Sequence, residues 1–237
     1  MLFSNISFIL NKPQLSENIG ACARAIKNFS FKRLILIEPK PIYPNDKILA
    51  TSVGAKDIIK NSKIFDNLEP AIKKIDYLIA TTSRFRNKNI KHINVNDLTN
   101  IDFTKNIAFL FGSEASGLSN NEISYANYTL QIPTNPNFKS LNLSHSVIII
   151  AQIVAYIIKL KNTKYEKSNK VKRANKKDIQ IMLNFCINSL EKKNFFKNKQ
   201  KKPIMLQNLR NVFYKMELSK KETRILSSVF AGLSKKG

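Results

Sequence analysis

"FGSEASGLS", residues 111–119, decides how the chain is read. Two glycines, Gly112 and Gly117, stand five apart around one carboxylate, Glu114. The run before it, "NIAFL", has the apolar character of a buried strand. A glycine–acid–glycine turn at the carboxyl end of a buried strand is where open α/β sheets build their sites. The stretch predicts an α/β fold with a ligand at this turn. What Glu114 does there is the question it raises.

Outward from that turn, short apolar runs alternate with helical patterns. The predicted strands are "ISFIL", "RLILIE", "DYLIATT", "IAFLFG" and "YTLQIP". Helical patterns fall near residues 17–28, 46–60, 67–74 and 120–126. This alternation predicts a mostly parallel sheet covered by helices. In the first helix Ser16 is the expected N-cap. Ile19, Cys22, Ala23, Ile26 and Phe29 form its apolar stripe, and Arg24 falls on the opposite face. "VIIIAQIVAYIIKL", residues 147–160, is shorter than the roughly 20 residues that span a bilayer and reads as a buried helix.

The net charge is +24, and it is unevenly placed. Residues 1–100 hold 16 Lys/Arg against 8 Asp/Glu, residues 101–158 hold 2 against 3, and residues 159–237 hold 22 against 5. A general lysine-rich bias would raise lysine everywhere and leaves the neutral middle unexplained. A basic surface beside a neutral site suits a polyanionic substrate. From Lys159 to Lys177 nine of nineteen residues are Lys or Arg, which reads as a solvated linker or nucleic-acid arm. Three amphipathic helices are expected after it. One runs from Lys177 to Lys193. The next starts at Pro203, with Leu209, Val212, Phe213 and Met216 on one face. The last opens at Ser219 with Glu222 three residues on, a capping box, and carries Ile225, Leu226, Val229, Phe230 and Leu233. About 60 helical residues make a marginal core alone, so docking or dimerisation is expected.

Several chemistries drop out. Cys22 and Cys186 are too few and too far apart for a disulfide framework or a zinc site. "MLFSNISFILNKPQ" has no basic n-region and no cleavage site of a signal peptide. A reduced, cytoplasmic setting is expected. There is no G-x-G-x-x-G and no G-x-x-x-x-G-K. His92 and His145 have no metal-ligand or triad spacing, so no metal is expected.

Three polar islands remain: "SENIGACAR" with Asn18 and Arg24, "FGSEASGLS" with Glu114, and "IPTNPNFKSLNLSHS" with Ser140 and Asn142. Each has a structural reading alone: a helix-start residue, a backbone-bonding acid, an N-cap. In this order and separation they resemble the motifs of the SPOUT superfamily of RNA methyltransferases, in its SpoU/TrmH branch. That branch carries N-x-x-x-x-x-R, F-G-x-E-x-x-G-L and I-P-x…S-L-N-x-[SA]-x-[SA]. The form of the third motif and the C-terminal helices look most like the TrmJ group, whose members methylate a ribose at nucleotide 32 of the tRNA anticodon loop.

The resemblance spans residues 6 to about 160 and implies an α/β domain with a C-terminal trefoil knot, followed by a small α-helical extension. The implied division is residues 1–160 for the methyltransferase domain, 161–176 for a basic linker and 177–237 for three helices. It implies S-adenosylmethionine (S-adenosyl-L-methionine) held by Thr81, Thr82, Ser83, Gly112, Ile132, Ser140, Leu141 and Asn142. It implies catalysis by Arg24, Asn18 and Glu114, tRNA as partner, and a homodimer whose first-motif arginine faces the partner's cofactor. Ser113 departs from the Arg that TrmJ-type proteins often carry there, which bears on the RNA rather than the fold. The branch's usual role for the arginine is general base. A guanidinium is hard to deprotonate, so a cation holding phosphate and alkoxide is the easier physics. Glu114 then orients Arg24 or the helix-start amides. A ribosomal-RNA 2′-O-methyltransferase and a non-catalytic RNA-binding protein are the alternatives.

Overall fold

Seven strands make one sheet in the computed structural model, which describes residues 3–83, 90–162 and 173–233. They are β1 (Ile6–Asn11), β2 (Arg33–Ile37), β3 (Lys63–Phe65), β4 (Tyr77–Thr81), β5 (Lys91–Asn94), β6 (Ile107–Phe111) and β7 (Tyr128–Gln131). All pairings are parallel, in the order β3-β2-β1-β6-β4-β7-β5. The helices are α1 (Ser16–Asn28), α2 (Asp46–Thr51), α3 (Lys56–Lys60), α4 (Leu68–Ile72), α5 (Asn120–Ile123), α6 (Leu143–Asn162), α7 (Lys176–Lys192), α8 (Lys202–Lys215) and α9 (Lys220–Leu233).

The five expected strands are all present. β3 and β5 were not expected. They are the two edge strands, and "KIF" and "KHIN" lack the continuous apolar run of a strand covered on both faces. The helix expected over 46–60 is two helices, separated at Gly54, whose φ of +74° suits glycine. Ser16 is not the cap of α1. Leu15 holds that place without a side-chain bond, and Ser16 Oγ accepts from Asn45 Nδ2 at 2.9 Å.

Alternation along the strands feeds two cores. Phe8, Leu10, Ile79, Phe109 and Phe111 face α1, α2, α3 and α6, and the buried stripe of α1 packs among them. By length and composition α6 could cross a membrane, but Val147, Ile150, Ala151 and Val154 are fully buried in this first core. Ile9, Leu78, Ala80, Ala108 and Leu110 face the other way. They share a core with α4, α5 and the C-terminal helices, through Ile179, Met182, Leu183, Phe213 and Tyr214.

Polar contacts tie α7 and α8 to the sheet. Asn127 Nδ2 donates to the Tyr214 carbonyl at 2.7 Å, and Gln180 Nε2 donates to Glu69 at 2.9 Å. The buried Lys176 Nζ donates to the Tyr125 carbonyl at 3.0 Å and lies 4.3 Å from the Tyr214 ring centroid. Burial pushes that ammonium well below its ordinary pKa, against the opposing pull of Asp76. The capping box at Ser219 and Glu222 is formed. The inward face of α8 is Asn211, Phe213 and Tyr214, while Val212 and Met216 are exposed, contrary to the expected stripe. Most of the expected basic linker, residues 163–172, lies outside the described residues.

Candidate active site

The carboxyl ends of β4, β6 and β7 open onto a cleft of about 290 Å³. Three segments build most of it: Thr81, Thr82 and Ser83 at the end of β4, residues 111–118 at the end of β6, and Leu130, Ile132 and residues 139–141 at and beyond the end of β7; Leu143 and Ser146 of α6 complete the lining. This is the end of a parallel sheet at which ligands bind, because strands stop there and leave loops and amides to shape a crevice.

The β6 loop folds back on itself. Gly117 N donates to the Ser113 carbonyl at 2.9 Å, and Ser113 Oγ and Ser116 Oγ lie 2.8 Å apart. Gly117 has φ +66°, a left-handed turn. A Cβ on Gly112 would come within 3.0 Å of the Gly117–Leu118 backbone. Gly112 therefore keeps space for its own loop before it keeps any for a ligand. The loop ends in a capping box, with Ser119 N donating to Glu122 Oε2 at 2.7 Å and Glu122 N to Ser119 Oγ at 3.2 Å.

Glu114 reaches back across the sheet end to the start of α1. Its Oε2 accepts from Gln14 N at 2.8 Å, and its Oε1 accepts from Leu15 N at 3.3 Å and from Asn18 Nδ2 at 2.8 Å. The buried Asn18 accepts in turn, through Oδ1, from Asn142 Nδ2 at 3.0 Å. Asn142 Oδ1 accepts from Ser144 N at 2.8 Å, Ser144 Oγ at 2.8 Å and His145 N at 3.4 Å, capping α6. The three polar islands are thus one hydrogen-bonded chain, Glu114–Asn18–Asn142. The N-cap role open to Ser140 belongs to Asn142. Cys22 lies beneath this chain; burial chiefly, and the Glu114 charge next, push its thiol pKa up.

Thr81, Thr82, Ser83, Gly112, Ile132, Ser140, Leu141 and Glu114 line the cleft; Asn18, Asn142 and Arg24 do not. Asn18 and Asn142 stand behind it as supports. Arg24 is exposed on α1, and among the described residues it makes no hydrogen bond or ion pair. Of the two readings of Glu114, the helix-start amides hold and the contact with Arg24 does not. Among the lining residues that sequence reasoning missed are Leu130, Ser116, Lys139, Leu143 and Ser146. Among the described residues Lys139 is the one cationic side chain there, and its position directly before Ser140 was the available signal. His92 lies in β5, its Nδ1 3.2 Å from Thr129 Oγ1, away from the cleft. Among the described residues no three His, Cys, Asp or Glu side chains gather as a metal site.

Residues 5–152 match the SpoU rRNA Methylase family. A tRNA (cytidine-2′-O-)-methyltransferase TrmJ of Methanocaldococcus jannaschii is 32% identical over 75% of this chain and 78% of its own. A tRNA (cytidine/uridine-2′-O-)-methyltransferase TrmJ of Photorhabdus laumondii is 27% identical over 99% of this chain and 98% of its own. The crystal structure of TrmJ from Z. mobilis superposes with a TM-score of 0.85 at 26% identity, covering 96% of this chain and 98% of that one. The matched region holds all three motifs and every residue of the cleft, and the chain belongs to the SpoU rRNA Methylase family.

Proposed function

We propose that the protein transfers a methyl group from S-adenosylmethionine to a ribose 2′-hydroxyl of tRNA, at nucleotide 32 of the anticodon loop. The observation that carries this reading is the single hydrogen-bonded chain joining Glu114, Asn18 and Asn142 behind a cleft at the sheet's carboxyl end. The TrmJ relatives, matched along nearly the whole chain, favour tRNA over ribosomal RNA.

The cleft fits the cofactor in size and chemistry. Leu130, Ile132 and Leu141 offer apolar contact for a purine, and Thr81, Thr82, Ser83 and Ser140 offer hydroxyls and loop amides for its polar edges. Gly112 lets the loop close tightly enough to shape that wall. When bound, S-adenosylmethionine supplies an electrophilic methyl on a sulfonium, which needs alignment more than activation. The weak nucleophile is the ribose hydroxyl. In this reading Arg24 holds the adjacent phosphate and stabilises the alkoxide as it forms. Glu114 takes no proton. It fixes the start of α1, and so the position of Arg24 two turns on.

Arg24 is exposed and absent from the lining of its own chain's cleft, which supports a homodimer in which it serves the partner's site. Entry of β6 between β1 and β4, and of β7 between β4 and β5, supports the trefoil knot. The proposed division is a catalytic domain to residue 160, a basic linker to 176 and a helical segment from 177. Acting on tRNA, the enzyme works in the cytoplasm. Incubation with labelled S-adenosylmethionine and separated tRNA and ribosomal RNA tests the proposal. Label in the ribose of tRNA is expected. Label only in ribosomal RNA, or in neither, overturns it.

A further inference from the structure

The turn between α7 and α8 is the most cationic short segment described. Residues 192–202 hold six lysines and no acidic residue. Within it stand two phenylalanines, Phe195 and Phe196, packed edge to face with centroids 5.4 Å apart. Phe195 is 52% exposed. Nothing in the cleft chemistry accounts for an exposed aromatic ring here.

The segment is held in place by its backbone. Asn194 adopts a left-handed conformation, φ 53°. Its N–H donates to the Glu191 carbonyl at 2.9 Å, and Phe195 N–H donates to the Leu190 carbonyl at 3.0 Å. This is the paired bonding of a Schellman helix end, with Asn in the position that tolerates αL. Beyond it Asn198 Oδ1 accepts from Gln200 N at 2.9 Å and Lys201 N at 3.2 Å. Lys202 bonds Glu191 at 2.6 Å, and its Nζ lies 5.4 Å from the Phe196 ring centroid. The ring pair is thus ordered before any ligand arrives, while Lys197, Lys199 and Lys201 remain exposed around it.

An ordered aromatic ring among exposed cations suits a base stacked on the ring with phosphates held on either side. We propose that residues 193–202 form a second RNA contact, remote from the cleft motifs in sequence, where Phe195 stacks on an unpaired base and Lys197, Lys199 and Lys201 hold the flanking phosphates. This rests on an RNA substrate as proposed above and specifies where that RNA is gripped. The bland role of Phe195 is an apolar contact that closes the Schellman turn onto Leu190. A leucine would serve that role; a base needs the ring face.

The chain contains no tryptophan, so Phe195→Trp places a single indole at the proposed contact in the full-length protein. Titration with a short oligouridylate should quench its emission. Anionic phosphatidylserine vesicles should neither quench nor blue-shift it. For the otherwise native protein, Phe195→Leu should weaken oligouridylate binding at least about fivefold, the lower end for loss of one base–aromatic stack, with the melting temperature held. Lys197, Lys199 and Lys201 all changed to Gln should reduce the slope of log affinity against log salt by about 2, at roughly 0.7 per phosphate of a single strand. An unquenched indole with oligouridylate, or full affinity in Phe195→Leu, overturns the proposal. So does a blue shift with vesicles alone, which would make the segment a membrane contact. Methyl transfer to tRNA by the native protein is measured alongside. Transfer without quenching sinks only this contact, and quenching without transfer sinks only the enzymatic reading.

Discussion

Replacing Glu114 by alanine removes three acceptor contacts: two to backbone amides at the start of α1 and one to the Asn18 side chain. A sheltered bond to a charged partner contributes about 1.5–3 kcal/mol, and one whose place water can take nearer 0.5. The Asn18 bond is half-buried and keeps the larger value. The Gln14 and Leu15 amides are near solvent, where water takes over part of the role. The loss is therefore about 2.5–4 kcal/mol. For a chain of this length each kcal/mol lowers Tm by about 2–4 °C, so the expected fall is about 5–16 °C. Glutamine gives a sharper test. Glu114 Oε2 serves one donor and Oε1 serves two. A glutamine keeps one carbonyl oxygen and must turn its NH2 towards an N–H, so it should lose the Gln14 contact and keep the other two. Its cost should be intermediate, about 1–3 kcal/mol. Asn18→Asp should be worse than Asn18→Ala, because it sets two carboxylates against each other. Thermal unfolding gives the order, and calorimetry with S-adenosylmethionine gives the effect on the cleft. A Glu114→Ala protein that melts with the native one and binds the cofactor equally would refute the role assigned to this carboxylate.

Arg24→Ala should lower methyl transfer by several orders of magnitude and leave cofactor affinity unchanged by calorimetry, with Arg24→Lys rescuing poorly because a point charge does not reproduce the planar fork. An equal loss of cofactor binding would show that Arg24 acts in the cleft itself. Gly112→Ala should lower both Tm and cofactor affinity, since the added methyl overlaps the Gly117–Leu118 backbone rather than a flexible side chain; native values for both would show that the loop yields. Lys176→Met tests the buried ammonium. Its pKa is depressed in the folded state, so the unfolded chain binds the extra proton and native stability rises with pH up to the ordinary lysine range near 10.4. The stability of the Met variant relative to native should therefore decline as pH rises towards about 10 in urea unfolding. A gap independent of pH would contradict the assignment.

Strands buried on both faces were legible as continuous apolar runs, and so was the parallel class of the sheet. The edge strands β3 and β5 were not, because most of each is at least partly exposed and its composition resembles a loop. The second and third motifs marked the cleft's lining and the first its support, and Ser16 and Ser140 show the limit of that reading. Each is a good capping residue by type, but caps are decided by neighbours: Asn142 caps α6, and Ser16 serves Asn45. The partners of Glu114 include two backbone amides, which no residue pattern displays. The C-terminal helices were expected to need support, and the hydrophobic pattern did not show where. They dock on the sheet through Tyr125, Lys176 and Tyr214. Truncation after Leu160 would strip one face of the sheet, so charge-neutralising substitutions are the cleaner probe of the basic third.

The most direct test is the position of the transferred methyl on a single tRNA transcript. After reaction with S-adenosylmethionine the transcript is hydrolysed in alkali, which cannot cleave beside a 2′-O-methyl ribose. Resistance at nucleotide 32, absent with Arg24→Ala, is the predicted result. A ladder cleaved at every position, or a methyl group found on a base, would contradict the proposed reaction.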